Sequence, residues 1–156
     1  MQSPQPAGDD RAYLDFVLGL KQHFARDLYP RLRGQYDERL RTARTSDPAE
    51  PARTAQVVES LPAYAWFQWL ERNPQKMMWR RLEAMLEPRE EDLATRLDSA
   101  VPNPLGSLEL DPNLKLPDYY TATEFHIQPG GVWSGATNTF VYEVGARIVM
   151  MGANDD

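Results

Sequence analysis

Glu124-Phe125-His126 places a carboxylate and an imidazole two residues apart. On a β-strand, residues two apart point to the same face, so the two side chains would act together. Such a pair could serve as an acid/base couple, supply half of a metal site, or hydrogen-bond a substrate. It could equally be a surface pair beside a turn, or the histidine could cap the glycine turn that follows. Tyr119 and Tyr120 come just before the pair and Trp133 just after it. Three aromatics, an imidazole and a carboxylate within about fifteen residues form the strongest candidate site in the chain. They would also suit an interface to a neighbouring domain.

Other chemistries find no support. There is no cysteine, which removes disulfides, thiolate metal sites and cysteine nucleophiles. With two histidines, His23 and His126, a multi-histidine zinc site is not expected. No Gly-x-Gly-x-x-Gly loop occurs. Gly130 and Gly135 have phosphate-loop spacing, but Ala136 and Thr137 stand where Lys and Ser or Thr are needed. Ser134, in Gly131-Val132-Trp133-Ser134-Gly135, lacks the glycine placement of a nucleophile elbow. The expectation is that no residue here is catalytic and no metal is held. Trp66, Phe67, Trp69, Met77, Met78 and Trp79 are the densest aromatic and methionine cluster. It reads as core packing, or, at Met78 and Trp79, as an adaptable apolar pocket wall. Arg80 and Arg81 could bind an anion or simply lie on an exposed helix face, and His23 reads as a helix-surface residue.

The elements that must position these groups divide at about residue 100. Residues 1–8 read as a disordered lead-in. Asp9 and Asp10 suit the positive end of a helix dipole, and Tyr13, Val17, Leu20, Phe24 and Leu28 follow at helical spacing. Pro30 should break or kink that helix. A second helical piece over 31–44 carries Leu32, Tyr36 and Leu40, and 45–53 reads as a loop. Further helices are expected over 54–72, with an interruption at Pro62, and after Asn73-Pro74, read as an N-cap and first turn. Met78, Leu82, Met85 and Leu86 line one side of the latter. A last helix follows Pro88, with Glu90, Glu91 and Asp92 in its first turn and Leu93 and Leu97 on its apolar face.

Residues 101–118 hold prolines 102, 104, 112 and 117 and read as an extended crossing. Short strand-like runs are expected at 119–127, 139–142 and 147–151. The first two are separated by Pro129-Gly130-Gly131, which suits a type II turn. The expected fold is therefore mainly α with a small antiparallel β element (α+β). A helical bundle over 9–100 precedes a proline-rich, strand-bearing segment over 101–156 packed on it.

Composition narrows the setting. The 156 residues suffice for one core. The net charge of −6, with two basic against seven acidic residues beyond residue 100, argues against nucleic-acid binding. No apolar run reaches the length of a membrane span, and the N-terminus lacks a signal-peptide pattern, so a cytoplasmic location is expected. The chain stops soon after an apolar run, which reads as a boundary within a longer protein.

Four stretches resemble the N-terminal region of a group of bacterial class I S-adenosylmethionine-dependent methyltransferases. They are Gln75-Lys76-Met77-Met78-Trp79, Leu116-Pro117-Asp118-Tyr119-Tyr120-Thr121, Glu124-Phe125-His126-Ile127-Gln128-Pro129-Gly130-Gly131-Val132-Trp133, and Phe140-Val141-Tyr142-Glu143. The similarity spans roughly residues 54–151, and the histidine with Pro-Gly-Gly is its most specific part. The catalytic, S-adenosylmethionine-binding half of that family has no counterpart in these residues. The resemblance implies a helical cap over a methyltransferase active site, not catalytic alone, that binds no S-adenosylmethionine itself. It also implies that Tyr120, Glu124, His126 and Trp133 contribute to the acceptor pocket, and Tyr119, beside Tyr120, is a substrate-binding candidate with them. The implied partner is a C-terminal catalytic domain. A different reading is a stand-alone regulatory protein that binds a partner, or a second copy of itself, through its aromatic helices and strand edges. A third is a small hydrolase or isomerase using Glu124 and His126.

Overall fold

A computed structural model describes residues 4–42, 51–99, 109, 111–131 and 135–152. Helices and helical turns account for 81% of them, and none lies in a strand. The α+β expectation is thus corrected to all-α. Residues 119–127 hold a short helix and a 3-10 turn, and the later runs fall in one helix, 139–142 wholly and 147–151 up to Val149.

The chain enters with Pro4 buried and begins α1, Gly8–His23. Asp9 and Asp10 sit in its first turn, and Lys21 and His23 near its end, each complementing the helix dipole. Leu14 and Val17 are buried, as is Phe24 just beyond. Pro30 does not break the helix. The turn at Phe24–Leu28 widens to a π-helix, the Tyr29 N–H reaching back to the Phe24 carbonyl. The chain then continues as α2, Tyr29–Thr42. One extra residue in the turn makes room where proline would crowd the preceding carbonyl and offers no donor. α2 buries no residue. Exposed pairs such as Arg33 with Asp37 (3.1 Å) and Arg41 with Glu38 (2.7 Å) lace its surface.

Beyond the undescribed 43–50 come α3, Pro51–Glu59, and α4, Pro62–Leu86. The interruption expected at Pro62 is present: that residue opens α4. Asn73-Pro74 starts no new helix, because Pro74 lies buried inside α4. The Asn73 side-chain amide donates to the Trp69 carbonyl at 2.6 Å, adding a donor in the turn where proline has removed one. The helix persists because Met78, Trp79, Leu82 and Leu86 bury one continuous face after the proline. A 3-10 turn at Glu87–Arg89 leads into α5, Glu90–Asp98, whose Leu93 is buried.

Residues 111–120 are all exposed. They end in α6, Asp118–Ala122, followed by the 3-10 turn Phe125–Ile127 and then α7, Gly135–Val149. In α7, Thr139, Phe140, Val141 and Tyr142 favour the pleated state, which is why this stretch looks strand-like in sequence. Yet Phe140, Val141, Gly145 and Ile148 are its buried residues, and their spacing is one helical face. The core is α4 packed between α1 and α7, with α5 closing against α7. Among the described residues, no helix is long and apolar enough to cross a membrane.

Charge pairs pin α1 to α4. The Lys21 ammonium, almost fully buried, meets Glu71 at 2.8 Å. Arg81 pairs with Asp10 at 2.6 Å and lies 5.5 Å from the Tyr13 ring centroid. Arg81 is therefore engaged within the fold.

Candidate functional site

Tyr119 and Tyr120 lie on α6 and His126 on the 3-10 turn after it, with Glu124 between the two. Pro117 precedes α6, and the Tyr120 N–H donates to the Pro117 carbonyl at 2.9 Å. Both tyrosines are open to solvent, Tyr119 at 75% and Tyr120 at 42%. Leu114 and Leu116, just upstream, are 70% and 43% exposed. This is an apolar and phenolic strip that the rest of the described chain does not cover.

Glu124 and His126 are not side by side on a strand. Thr123 is extended, but the chain then turns, the Ile127 N–H donating to the Glu124 carbonyl at 3.1 Å. His126 (φ 53°, ψ 24°) and Ile127 (φ 54°) are both left-handed. The two-residue alternation that would pair the carboxylate with the imidazole is therefore absent, and the acid/base couple argued from it goes with it. Both residues remain exposed. Left-handed backbone costs an L-residue roughly 1–2 kcal/mol, and for a β-branched residue such as Ile127 it is a true outlier.

Two donors from α4 meet this strained turn. The Gln75 side-chain amide (Nε2) donates to the His126 carbonyl at 2.8 Å, and the Trp79 indole Nε1–H donates to the same oxygen at 3.1 Å. Gln75 and Trp79 are four apart on one helix and so share a face. Together they occupy both acceptor positions of one carbonyl. Met78 and Trp79 do not form an open pocket wall. They are 0% and 2% exposed, in the core, and Trp79 reaches the candidate site only through its N–H. Its ring lies against Gly145 of α7, where an added Cβ would fall 2.7 Å from Cη2 and nearer still to Cζ3.

The turn is fixed on its other side by Gln128, 1% exposed. Gln128 Nε2 donates to the Gly131 and Asn138 carbonyls, each at 3.2 Å. The Gly131 N–H closes the turn on the Gln128 carbonyl at 3.0 Å. Gly130 (φ 70°) and Gly131 (φ 59°) take the positive φ that the turn demands. Trp133 lies outside the described residues.

Tyr119, Tyr120, Glu124 and His126 are thus exposed neighbours in sequence. Among the described residues there is no cluster of three or more His, Cys, Asp or Glu suited to a metal. Gln75, Gln128 and Gly145 were missed. A glutamine on the same helix face as a core tryptophan was the available signal for the first. A separate groove of about 500 Å³ lies between α1 and α7. Leu14, Leu18, Val144 and Ile148 line it beside Arg11 and Glu143, and it includes none of the expected site residues. The chain matches no family model, no curated protein and no solved structure.

Proposed function

We propose that this chain is the substrate-side cap of an S-adenosylmethionine-dependent methyltransferase, acting with a catalytic domain supplied by further polypeptide. The observation that supports this most is the uncovered strip of Leu114, Leu116, Tyr119 and Tyr120, running into a turn that holds His126 at the surface. Contiguous bare apolar surface of this kind marks a place for another body. Tyr119, Tyr120, Glu124 and His126 then face the acceptor, offering phenolic, carboxylate and imidazole groups for hydrogen bonding.

The described residues do not fit the cofactor. Class I methyltransferases cradle it with a glycine-rich loop after a strand, and the described residues offer no strand for such a loop to follow. No step of methyl transfer is therefore assigned to this chain. Calorimetry of S-adenosylmethionine against the 156-residue chain tests the point, with no heat of binding expected; tight binding would refute the cap reading. The reading frame beyond Asp156 is the second test. A continuing frame with a strand and glycine-rich loop supports the cap, and a stop codon counts against it.

One observation favours a second reading, a partner-binding protein. Trp66 (66% exposed) and Trp69 (59%) form an edge-on pair 6.3 Å apart on α4. Exposed tryptophans are frequent anchors of protein interfaces. The strand edges first considered for this role are absent among the described residues, which leaves the tryptophan pair to carry it. Replacing both by serine would abolish partner capture on this reading and leave acceptor methylation intact on the first.

A further inference from the structure

Three basic residues follow the Trp66–Trp69 pair along α4. Arg72, Lys76 and Arg80 are four apart, so they form one row on the helix, and Trp69, three before Arg72, begins it. The row is turned from the core: Arg72 and Arg80 are exposed and Lys76 is half-buried, while Met78 and Leu82 take the opposite side of the helix. Among the described residues, none of the three cations enters an ion pair. Elsewhere the fold matches its surface arginines. Arg33, Arg41, Arg89 and Arg96 each meet a carboxylate three or four residues away. Along this face the neighbours at that spacing are further cations, an arrangement that disfavours the helix. Glu71, the carboxylate within the stretch, is turned to the buried ammonium of Lys21 at 2.8 Å. The row therefore costs the chain stability, and no described carboxylate offsets it.

The spread of these groups selects their occupant. From Trp66 to Arg80 the face runs about 21 Å, and the three charges take up about 12 Å of it. A helix surface is convex, so a small anion cannot touch all three cations at once, whereas a peptide segment laid along the face can. The chain as a whole carries a net charge of −6, which repels a long polyanion or an anionic bilayer reaching past α4. A short acidic segment is the complement that remains. Tryptophan and arginine are also the residues most enriched where protein interfaces concentrate their binding energy.

We infer that this outer face of α4 docks an acidic segment of a partner protein, whose carboxylates meet Arg72, Lys76 and Arg80 and whose apolar residues cover Trp66 and Trp69. The inference rests on the partner-binding reading and adds to it the chemistry of the partner.

The test presents the 156-residue chain with a phage-displayed library of random peptides about 16 residues long, enough to span the face as a helix. Recovered sequences are then titrated as free peptides by fluorescence anisotropy. They should be net acidic and carry aliphatic or aromatic residues. Their affinity should fall about thirtyfold or more when Trp66→Ser and Trp69→Ser are combined. It should fall about tenfold or more when Arg72→Glu, Lys76→Glu and Arg80→Glu are combined. Lys76→Glu alone separates docking from a role in the fold. In the free chain it exchanges two like-charge spacings for two ion-pair spacings, so Tm should rise by about 2–4 °C while peptide affinity falls. A row kept for the fold would lower Tm instead, and that result would overturn the inference.

Peptides that require both tryptophans yet show no acidic excess, or that bind the charge-reversed chain as well as the parent, would overturn the inference and leave the partner-binding reading in place. Recovery of no peptide sensitive to the tryptophan substitutions would end both. Retention of an oligothymidylate or of phosphatidylserine vesicles, lost on charge reversal, would give the face to a nucleic acid or a membrane and overturn the inference. Self-association of the parent chain that the tryptophan substitutions dissolve would do the same.

Discussion

Replacing Gly145 by alanine pits two known effects against each other, and the structure decides between them. In an ordinary helix interior the change stabilises by about 1 kcal/mol, because alanine loses less backbone freedom on folding. At Gly145 the new methyl would stand 2.7 Å from Trp79 Cη2 and 3.1 Å from Cε3, with Cζ3 closer still. The indole is 2% exposed and cannot swing into solvent. Overpacking of this kind costs about 1–3 kcal/mol. A displaced indole also loses its bond to the His126 carbonyl, about 1 kcal/mol more. The net expectation is destabilisation by about 2 kcal/mol, which for a chain of this length lowers Tm by roughly 4–8 °C. Urea unfolding followed by far-UV circular dichroism reads the difference directly. Gly34→Ala is the control. It lies in α2 with nothing within 4 Å of the added carbon, and should stabilise by about 0.5–1 kcal/mol. A Gly145→Ala chain as stable as the parent would show that the helix–helix contact is not as tight as described, and the link from α7 through Trp79 to the turn would fall.

The buried ammonium of Lys21 makes its pair with Glu71 asymmetric. Glu71→Ala, which strands that charge, should cost about 3 kcal/mol, whereas Lys21→Met should cost well under half as much because the Glu71 side chain, 43% exposed, can turn to water; equal losses in urea unfolding would contradict this. Leu82→Ala, at a site with no exposure, should cost about 3 kcal/mol through its cavity, as read by the same assay. The Arg96 guanidinium, with that of Arg89, holds the exposed Asp92 carboxyl below its ordinary range. A depressed carboxylate contributes stability that is full above its unfolded value and lost as pH falls through the folded one. Arg96→Gln should therefore raise the Asp92 midpoint in a carboxyl NMR titration and slightly flatten the acid limb of stability, and an unmoved midpoint would refute the assignment.

The helices of the first hundred residues were legible because their apolar residues recur at a clean helical period, as in Tyr13, Val17 and Phe24 or Met78, Leu82 and Leu86. Two prolines misled, since local chemistry at Pro30 and Pro74 was overridden, once by a widened turn and once by burial of the face that follows. α7 was illegible for a different reason. Its strand-favouring side chains and mid-helix glycine mask a helical stripe, and the purpose of Gly145 shows only when Trp79, sixty-six residues earlier, is laid against it. The Pro-Gly-Gly turn could be read from its own residues. The bonds from Gln75 and Trp79 span 51 and 47 residues, a separation no local pattern reveals, and the left-handed backbone they meet dissolved the carboxylate–imidazole pairing.

The widened turn at Phe24–Leu28 has a consequence for everything that follows it. Adding one residue to a helical turn advances the winding by about 100°, so the half-buried Leu32, Tyr36 and Leu40 point where an unbroken α-helix would have placed a different side of the rod. Removing a single residue from this turn would leave both flanking helices able to form, yet rotate the second by more than a right angle. Its greasy seam would then swing away from α3 and α4, and the first forty residues would keep their shape while losing their aim.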